Sequence, residues 1–349
     1  MRARSVTLLC IVLALVYFFA FARGTGRELV VAPKTLTALE PVNSPSIRGG
    51  GLFLPIQGSF GAGFIDEEHE LASYYVSDRI ALDREWVAIY RGNGLELLNP
   101  TGRVISRFAG SPLPIARNGN LYLYADDSGA LSKIDPANGA RIWERAYISQ
   151  LTSIDAQADR TLVGFLDGRI ELIDGLGEVL LSYKPGGSRT EVIYGAIISR
   201  DASKIALISG LKPQRFLILE ERGDSFRPIH HHNTNSDYRR PIAMEFIRDD
   251  RQVLYEGGEK IEIFDIRRSR LKKRGIPGNA LRWIDNLAPK TLTLLEADGG
   301  DARIRMLTQD NLPLFDFALP PGSVDIVKDR NFVIIVGQYD IFVLEFSLQ

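Results

Sequence analysis

A unit of about 35 residues, made of short apolar runs separated by turn residues, recurs along this chain and constrains its fold more than any other feature. Its clearest copy is residues 111–145, SPLPIARNGNLYLYADDSGALSKIDPANGARIWER. The turns Asn118-Gly119, Asp126-Asp127-Ser128-Gly129 and Asp135-Pro136-Ala137-Asn138-Gly139 divide it into four runs. Each turn carries residues that tolerate or preset the dihedrals of a tight hairpin. The runs between them are too short for helices and are rich in Leu, Ile and Tyr, so the unit reads as four antiparallel strands.

The second run of the unit recurs at residues 52–55, 86–90, 121–124, 161–164, 205–208, 253–255, 291–294 and 332–336. Successive copies lie roughly 33–48 residues apart, the spacing of a four-stranded propeller blade. The turn after the third strand recurs as well, in Asn99-Pro100-Thr101-Gly102, Asp135-Pro136 and Asp174-Gly175. No helical period persists over 11 or more residues beyond the N-terminus. The chain is therefore expected to be all-β: a β-propeller of four-stranded blades, eight by the anchor count, or seven if the weak first unit is incomplete. The last unit, from Ser323, has room for three strands only. A strand from 28–32 or 35–39 is expected to supply the fourth and close the ring, removing its open edges.

Ahead of the repeats, Arg2 and Arg4 precede an apolar run over residues 6–22 and then Arg23. That run is at the lower limit for crossing a bilayer and also resembles a long signal-peptide core. Both readings export the remainder of the chain, and the basic pair sets the N-terminus inside. Ala20-Phe21-Ala22 offers a signal-peptidase site, whereas bulky Tyr17, Phe18 and Phe19 argue for a retained helix. The organisation read from the sequence is an anchor or signal segment at 1–23, a linker at 24–43 holding the closing strand, and a propeller at 44–349. The expected location is the inner membrane, single-pass, with the propeller in the periplasm; the alternative is a soluble periplasmic protein after cleavage following Ala22.

Composition narrows the function by exclusion. The 42 basic and 43 acidic residues of the 349 nearly cancel, so no global field draws nucleic acid or an acidic substrate. The one cysteine, Cys10, lies inside the apolar run after Leu8-Leu9, without the small residue of a lipobox. The exported part thus has no disulfide and no thiol nucleophile, and it also lacks N-x-[ST] acceptors, which fits a bacterial periplasm better than an animal exterior.

Two segments stand out as candidate sites. Arg267, Arg268, Arg270, Lys272, Lys273 and Arg274 place six cations in the last-strand position of their unit, at the rim of the disc. They fit an acidic partner or phosphate-bearing envelope components, or a solvated edge that blocks aggregation. His230-His231-His232 is the densest set of metal-ligand types, but neighbours on a strand point to opposite faces. Two at most can share a metal, with Asp237 or His69 as a third ligand, and a polar loop is the plainer reading. Phe53, Phe60, Phe64, Tyr74, Tyr75, Phe342 and Phe346 read as packing between blades. Asp66-Glu67-Glu68 and Asp249-Asp250 read as turns. No G-x-S-x-G or phosphate loop occurs, so no catalytic residue, metal or cofactor is assigned.

The pattern G-x-L-x-x-I-D-P-x-x-G-x-x-x-W at residues 129–143, with weaker copies at 94–102 and 168–177, resembles the repeats of quinoprotein-like (PQQ-like) propellers. That superfamily includes quinone-dependent alcohol dehydrogenases and BamB-like outer-membrane assembly proteins; some WD40-like propellers share its features. The enzymes use a Trp platform, calcium ligands and often adjacent cysteines. Here Trp86, Trp143 and Trp283 fall in or near repeat strands and the propeller has no cysteine, so the resemblance implies the non-enzymatic branch. The expected function is a scaffold binding other envelope proteins, with BamB-like assembly work as one version. The rival is an envelope enzyme or small-ligand sensor using the central channel.

Overall fold

The computed structural model describes the backbone of residues 29–39, 52–92, 94–223, 225–258, 260–277, 280–285, 291–298, 301–308, 313–319, 322–323 and 325–348. The apolar run at 6–22 and the rest of the segment before residue 29 lie outside them. Among the described residues 31 strands form eight sheets, and no helix occurs.

Strand β1 (Leu29–Ala38) comes first in the chain but belongs to the last blade. Blade 1 holds three described strands, β2 (Leu54–Gln57), β3 (Gly61–Ile65) and β4 (Leu71–Val76). Blade 2 is β5 (Ile80–Asp83), β6 (Trp86–Arg91), β7 (Gly94–Leu98) and β8 (Val104–Ala109). Blade 3 is β9 (Leu113–Arg117), β10 (Asn120–Ala125), β11 (Ala130–Ile134) and β12 (Arg141–Ala146). Blade 4 is β13 (Leu151–Gln157), β14 (Arg160–Phe165), β15 (Ile170–Ile173) and β16 (Val179–Tyr183). Blade 5 is β17 (Thr190–Ile198), β18 (Lys204–Leu211), β19 (Arg215–Arg222) and β20 (Ser225–Asn233). Blade 6 is β21 (Met244–Ile247), β22 (Gln252–Glu256), β23 (Lys260–Asp265) and β24 (Arg270–Pro277). Blade 7 is β25 (Ala280–Asp285), β26 (Thr291–Asp298), β27 (Asp301–Thr308) and β28 (Pro313–Leu319). Blade 8 is β29 (Asp325–Asp329), β30 (Phe332–Val336) and β31 (Asp340–Leu348), completed by β1.

The expected eight-bladed ring is the one that forms, and its closure is as read from the sequence. β1 runs antiparallel to β31 from Leu29↔Leu348 to Ala38↔Asp340, as one strand with a register shift after Pro33. Seven of the repeated anchors fall within second strands; the run at 52–55 leads into β2, the first described strand of its blade.

Burial follows the position of a strand in its blade. Middle strands lie between two neighbouring blades, so β14 and β15 are buried almost throughout, whereas the outer strand β16 is largely exposed. The core is consequently a ring of apolar seams. One joins Tyr122, Leu131 and Trp143 of blade 3 to Val163, Phe165 and Ile173 of blade 4. Trp143 is on an outer strand yet only 6% exposed, because the Gly177 turn of blade 4 folds over its ring. Phe64, Tyr74 and Tyr75 are buried as packing residues, while Phe60 is half exposed and faces Tyr339 with ring centroids 6.3 Å apart.

Side-chain carboxylates bolt adjacent blades together. Asp83 accepts from the Gly119 amide at 3.0 Å, Asp155 from Ile198 at 2.9 Å and Asp250 from Arg200 at 2.9 Å. Each ties one blade to the next, which accounts for Asp250 in a turn without invoking chemistry. Asp66 caps its own turn through the amides of Glu68 and Glu70.

Candidate functional site

The innermost strands of blades 3 to 6 surround a central cavity of about 1050 Å³. Its mouth lies on the face that carries the turns between second and third strands, here called the upper face. Leu113, Ile115 and Arg117 of β9, residues 151–155 of β13, Tyr194–Ile197 of β17, and residues 240–245 leading into β21 form its wall. The innermost strands read as mostly apolar or small in sequence, yet the wall includes Arg117, Asp155, Arg240, Glu245 and Glu256. Periodicity missed them because a charged residue facing a wet channel breaks the apolar pattern without breaking the strand.

Several of these groups are held in place. Glu256 is 5% exposed, receives a hydrogen bond from the Ala243 amide at 3.0 Å and pairs with Arg240 at 2.8 Å. That bond raises the Arg240 guanidinium above its usual range. Burial pushes the Asp155 carboxyl up, against the Ile198 and Ala156 amides and the charge of Arg117, which pull it down. Arg117 spends its Nε on the Ile154 carbonyl at 3.0 Å. The cavity therefore presents fixed polar groups of both signs.

A second depression of about 810 Å³ opens between blades 2 and 3. Arg79, Ser111 and Asp126 line both, so groove and cavity share one margin. A smaller depression of about 450 Å³ continues beyond Asp126 and Asp127 to Ile148, which is fully exposed.

The histidine cluster takes a form the sequence did not show. His230 and His232 lie on one side of outer strand β20 and His231 alternates away from them. His230 Nε2 is 2.9 Å from His232 Nδ1, and His232 Nε2 is 2.9 Å from the Tyr255 hydroxyl in blade 6. Tyr255 donates at 2.6 Å to Glu262, which is 2% exposed, and Ser269 Oγ lies 3.2 Å from His230 Nδ1. Two of the three histidines thus join a hydrogen-bonded row sealed by Phe216 and Phe264. His69 is elsewhere, 3.1 Å from Asp329 in the seam between blades 1 and 8. Among the described residues no three His, Cys, Asp or Glu groups gather as a metal site.

The basic segment falls where expected on the fold. Arg270, Lys272, Lys273 and Arg274 belong to β24, the outer strand of blade 6, and Arg267 and Arg268 to the turn before it. Arg267, Arg268 and Arg270 are exposed, and the Arg268 amide caps onto Asp265 at 2.9 Å. The segment lies on the rim, away from the cavity wall.

Comparison with known proteins bears on the fold. A crystal structure of BamB from Moraxella catarrhalis superposes with a TM-score of 0.64 at 13% identity, covering 91% of this chain and all of that one. The computationally designed Ika8 protein superposes at 0.61 with 11% identity, over 92% of this chain and all of that one. An uncharacterized protein of Treponema pallidum (strain Nichols) is 23% identical over 207 residues. That match covers 59% of this chain and 55% of the relative, so the chain spans about half the length of the relative it matches. The profile of a family described as beta-propeller protein matches residues 2–281, and the chain belongs to that family.

Proposed function

We propose that this chain is an exported propeller, held at the bacterial inner membrane by residues 6–22, that serves as a binding scaffold for other envelope proteins. The carrying observation is the upper face, where the central cavity and the groove between blades 2 and 3 share the margin Arg79, Ser111 and Asp126. Open, contiguous depressions beside the exposed side chains of Leu113, Ile148 and Leu166 suit a polypeptide surface better than an enclosed reaction centre. The basic pair before the apolar run supports the orientation, and the likeness in fold to BamB supports a role of the same kind in outer-membrane protein assembly.

Purification of the full chain from detergent-solubilised membranes after mild crosslinking tests this. A stoichiometric envelope protein is the expected companion. Isolation alone with a bound metal or small molecule overturns the scaffold and favours the rival channel reading, for which the paired Arg240 and Glu256 and the raised Asp155 are the supporting groups.

A further inference from the structure

The groove between blades 2 and 3 is written into the repeat. Leu121↔Ile134 in blade 3 and Thr161↔Ile173 in blade 4 are equivalent pairs, each followed by an Asp that opens the same turn. Counting from them, Ala125 stands where blade 4 has Phe165, Ala130 where it has Arg169 and Ser132 where it has Glu171. The outer-strand pairs Gly94↔Ala109 and Ala130↔Ala146 likewise set Gly110 against Tyr147. Between blades 3 and 4 the larger set fills the seam: Tyr147 packs on Phe165 with centroids 4.7 Å apart, Arg169 covers Phe165, and Arg169 pairs with Glu171. Between blades 2 and 3 all four positions are small, and the 810 Å³ groove occupies the space.

The charges beside this groove are uneven: Arg79, on its margin, donates to the Ser111 carbonyl at 3.1 Å and lies over the Tyr90 ring. Arg107 is paired with Glu96 at 2.8 Å, and Arg141 is paired with Glu144. Among the described residues neither Asp126 nor Asp127, in the turn at its upper end, is paired with a cation. The vacant positions are those that an aromatic pair occupies one seam further on. Two carboxylates, Asp126 and Asp127, stand beside them against Arg79, the single lining cation not paired with a carboxylate among the described residues.

From this we infer that the groove between blades 2 and 3 receives an extended peptide segment of a partner protein, inserting an aromatic side chain over Ala125 and Ser132 and setting a Lys or Arg against Asp126 and Asp127. This deepens the scaffold reading and rests on it for the partner's being an envelope protein. Extended peptides docked along such seams gain affinity from one buried anchor and selectivity from the adjoining charge.

The test titrates the full chain with fluorescein-labelled six-residue peptides of central sequence Trp-Lys, Ala-Lys, Trp-Glu and Ala-Glu, followed by anisotropy. Trp-Lys is expected to bind at least about tenfold more tightly than each of the others, equivalent to about 1.4 kcal/mol. Ala125→Phe, which fills the groove, is expected to abolish that preference, with an unchanged thermal midpoint verifying the fold. As a second variant needing no core change, Asp126→Asn with Asp127→Asn is expected to equalise Trp-Lys and Trp-Glu while leaving Trp-Glu above Ala-Glu. Equal binding of all four peptides, or a preference that survives Ala125→Phe, overturns the proposal. A membrane partner retained by Ala125→Phe sinks the groove and leaves the scaffold standing; peptide selectivity without any membrane partner does the reverse.

Discussion

His232 Nε2 and the Tyr255 hydroxyl lie 2.9 Å apart across the seam between blades 5 and 6. Because Tyr255 spends its proton on Glu262, it can only accept from His232. That fixes the direction of the whole row: His232 carries its proton on Nε2, accepts at Nδ1 from His230 Nε2, and His230 Nδ1 accepts from Ser269. Four donors thus point in sequence toward one buried carboxylate.

Tyr255→Phe removes the link while keeping the ring that stacks on Phe216 at 4.7 Å. Loss of a hydrogen bond to a charged group typically costs about 1.5–3 kcal/mol. Chemical denaturation should show a lower midpoint with an unchanged slope. A wild-type midpoint would mean that the row contributes nothing to holding the blades together.

The same row makes stability depend on pH. Burial, and secondarily the charge of His231, lowers the His230 pKa from its ordinary 6.5. The unfolded chain therefore binds this proton more readily than the folded one, and stability rises with pH across the window. The contribution is complete above 6.5 and is lost as pH falls through 6.5 toward the depressed folded value. Denaturation midpoints at about pH 5 and pH 7.5 should differ more in wild type than in His230→Gln, since imidazole is the group titrating in that interval. Equal differences would place the pH dependence elsewhere.

Gly177 sits at a φ of +95°, and a Cβ there would stand 2.8 Å from Cβ of Trp143. Gly177→Ala incurs left-handed strain of about 1–2 kcal/mol and a contact with the indole as well. Trp143→Ala empties the same seam at about 3–5 kcal/mol. Calorimetry should find both destabilised, and the double variant less so than the sum, because Trp143→Ala removes the indole contacts at 3.0 and 3.5 Å that the new methyl meets, while the contact with Cβ persists.

Removing residues 1–38 deletes β1 and bares the full length of β31. An exposed apolar edge is a template for pairing with another chain. Size-exclusion chromatography should show association, where a chain lacking only residues 1–24, which keeps β1, elutes as a discrete species. A chain without β1 that is discrete and melts as that control does would show the seam with β31 to be dispensable.

The architecture was legible because blades 2 to 4 repeat the same turn chemistry: Asn99, Asp135 and Asp174 open equivalent turns, and the strands between them take their places accordingly. The closing strand was legible from the shortfall in the last unit. The candidate sites were less so. The row from Ser269 to Glu262 joins residues of two blades, and only the ring sets His232 beside Tyr255. The groove was hidden for a different reason, since Ala125, Ala130 and Ser132 are ordinary strand residues until the fold aligns them with Phe165, Arg169 and Glu171. The sequence foreshadowed the rim cations, whose strand is where it was expected, but the charged wall of the cavity was masked by residues such as Asp155 that interrupt the apolar pattern.

The pairing of Leu29 with Leu348 sets a schedule as well as a shape. A ribosome or translocation channel delivers β1 first and β31 near the end, so one of the earliest strands must wait unpaired while seven blades are made. Stacking can proceed blade by blade, since neighbouring repeats meet through local contacts, but the circle cannot lock until β31 arrives. Until then the edge of β1 that β31 covers in the finished ring stays open to water.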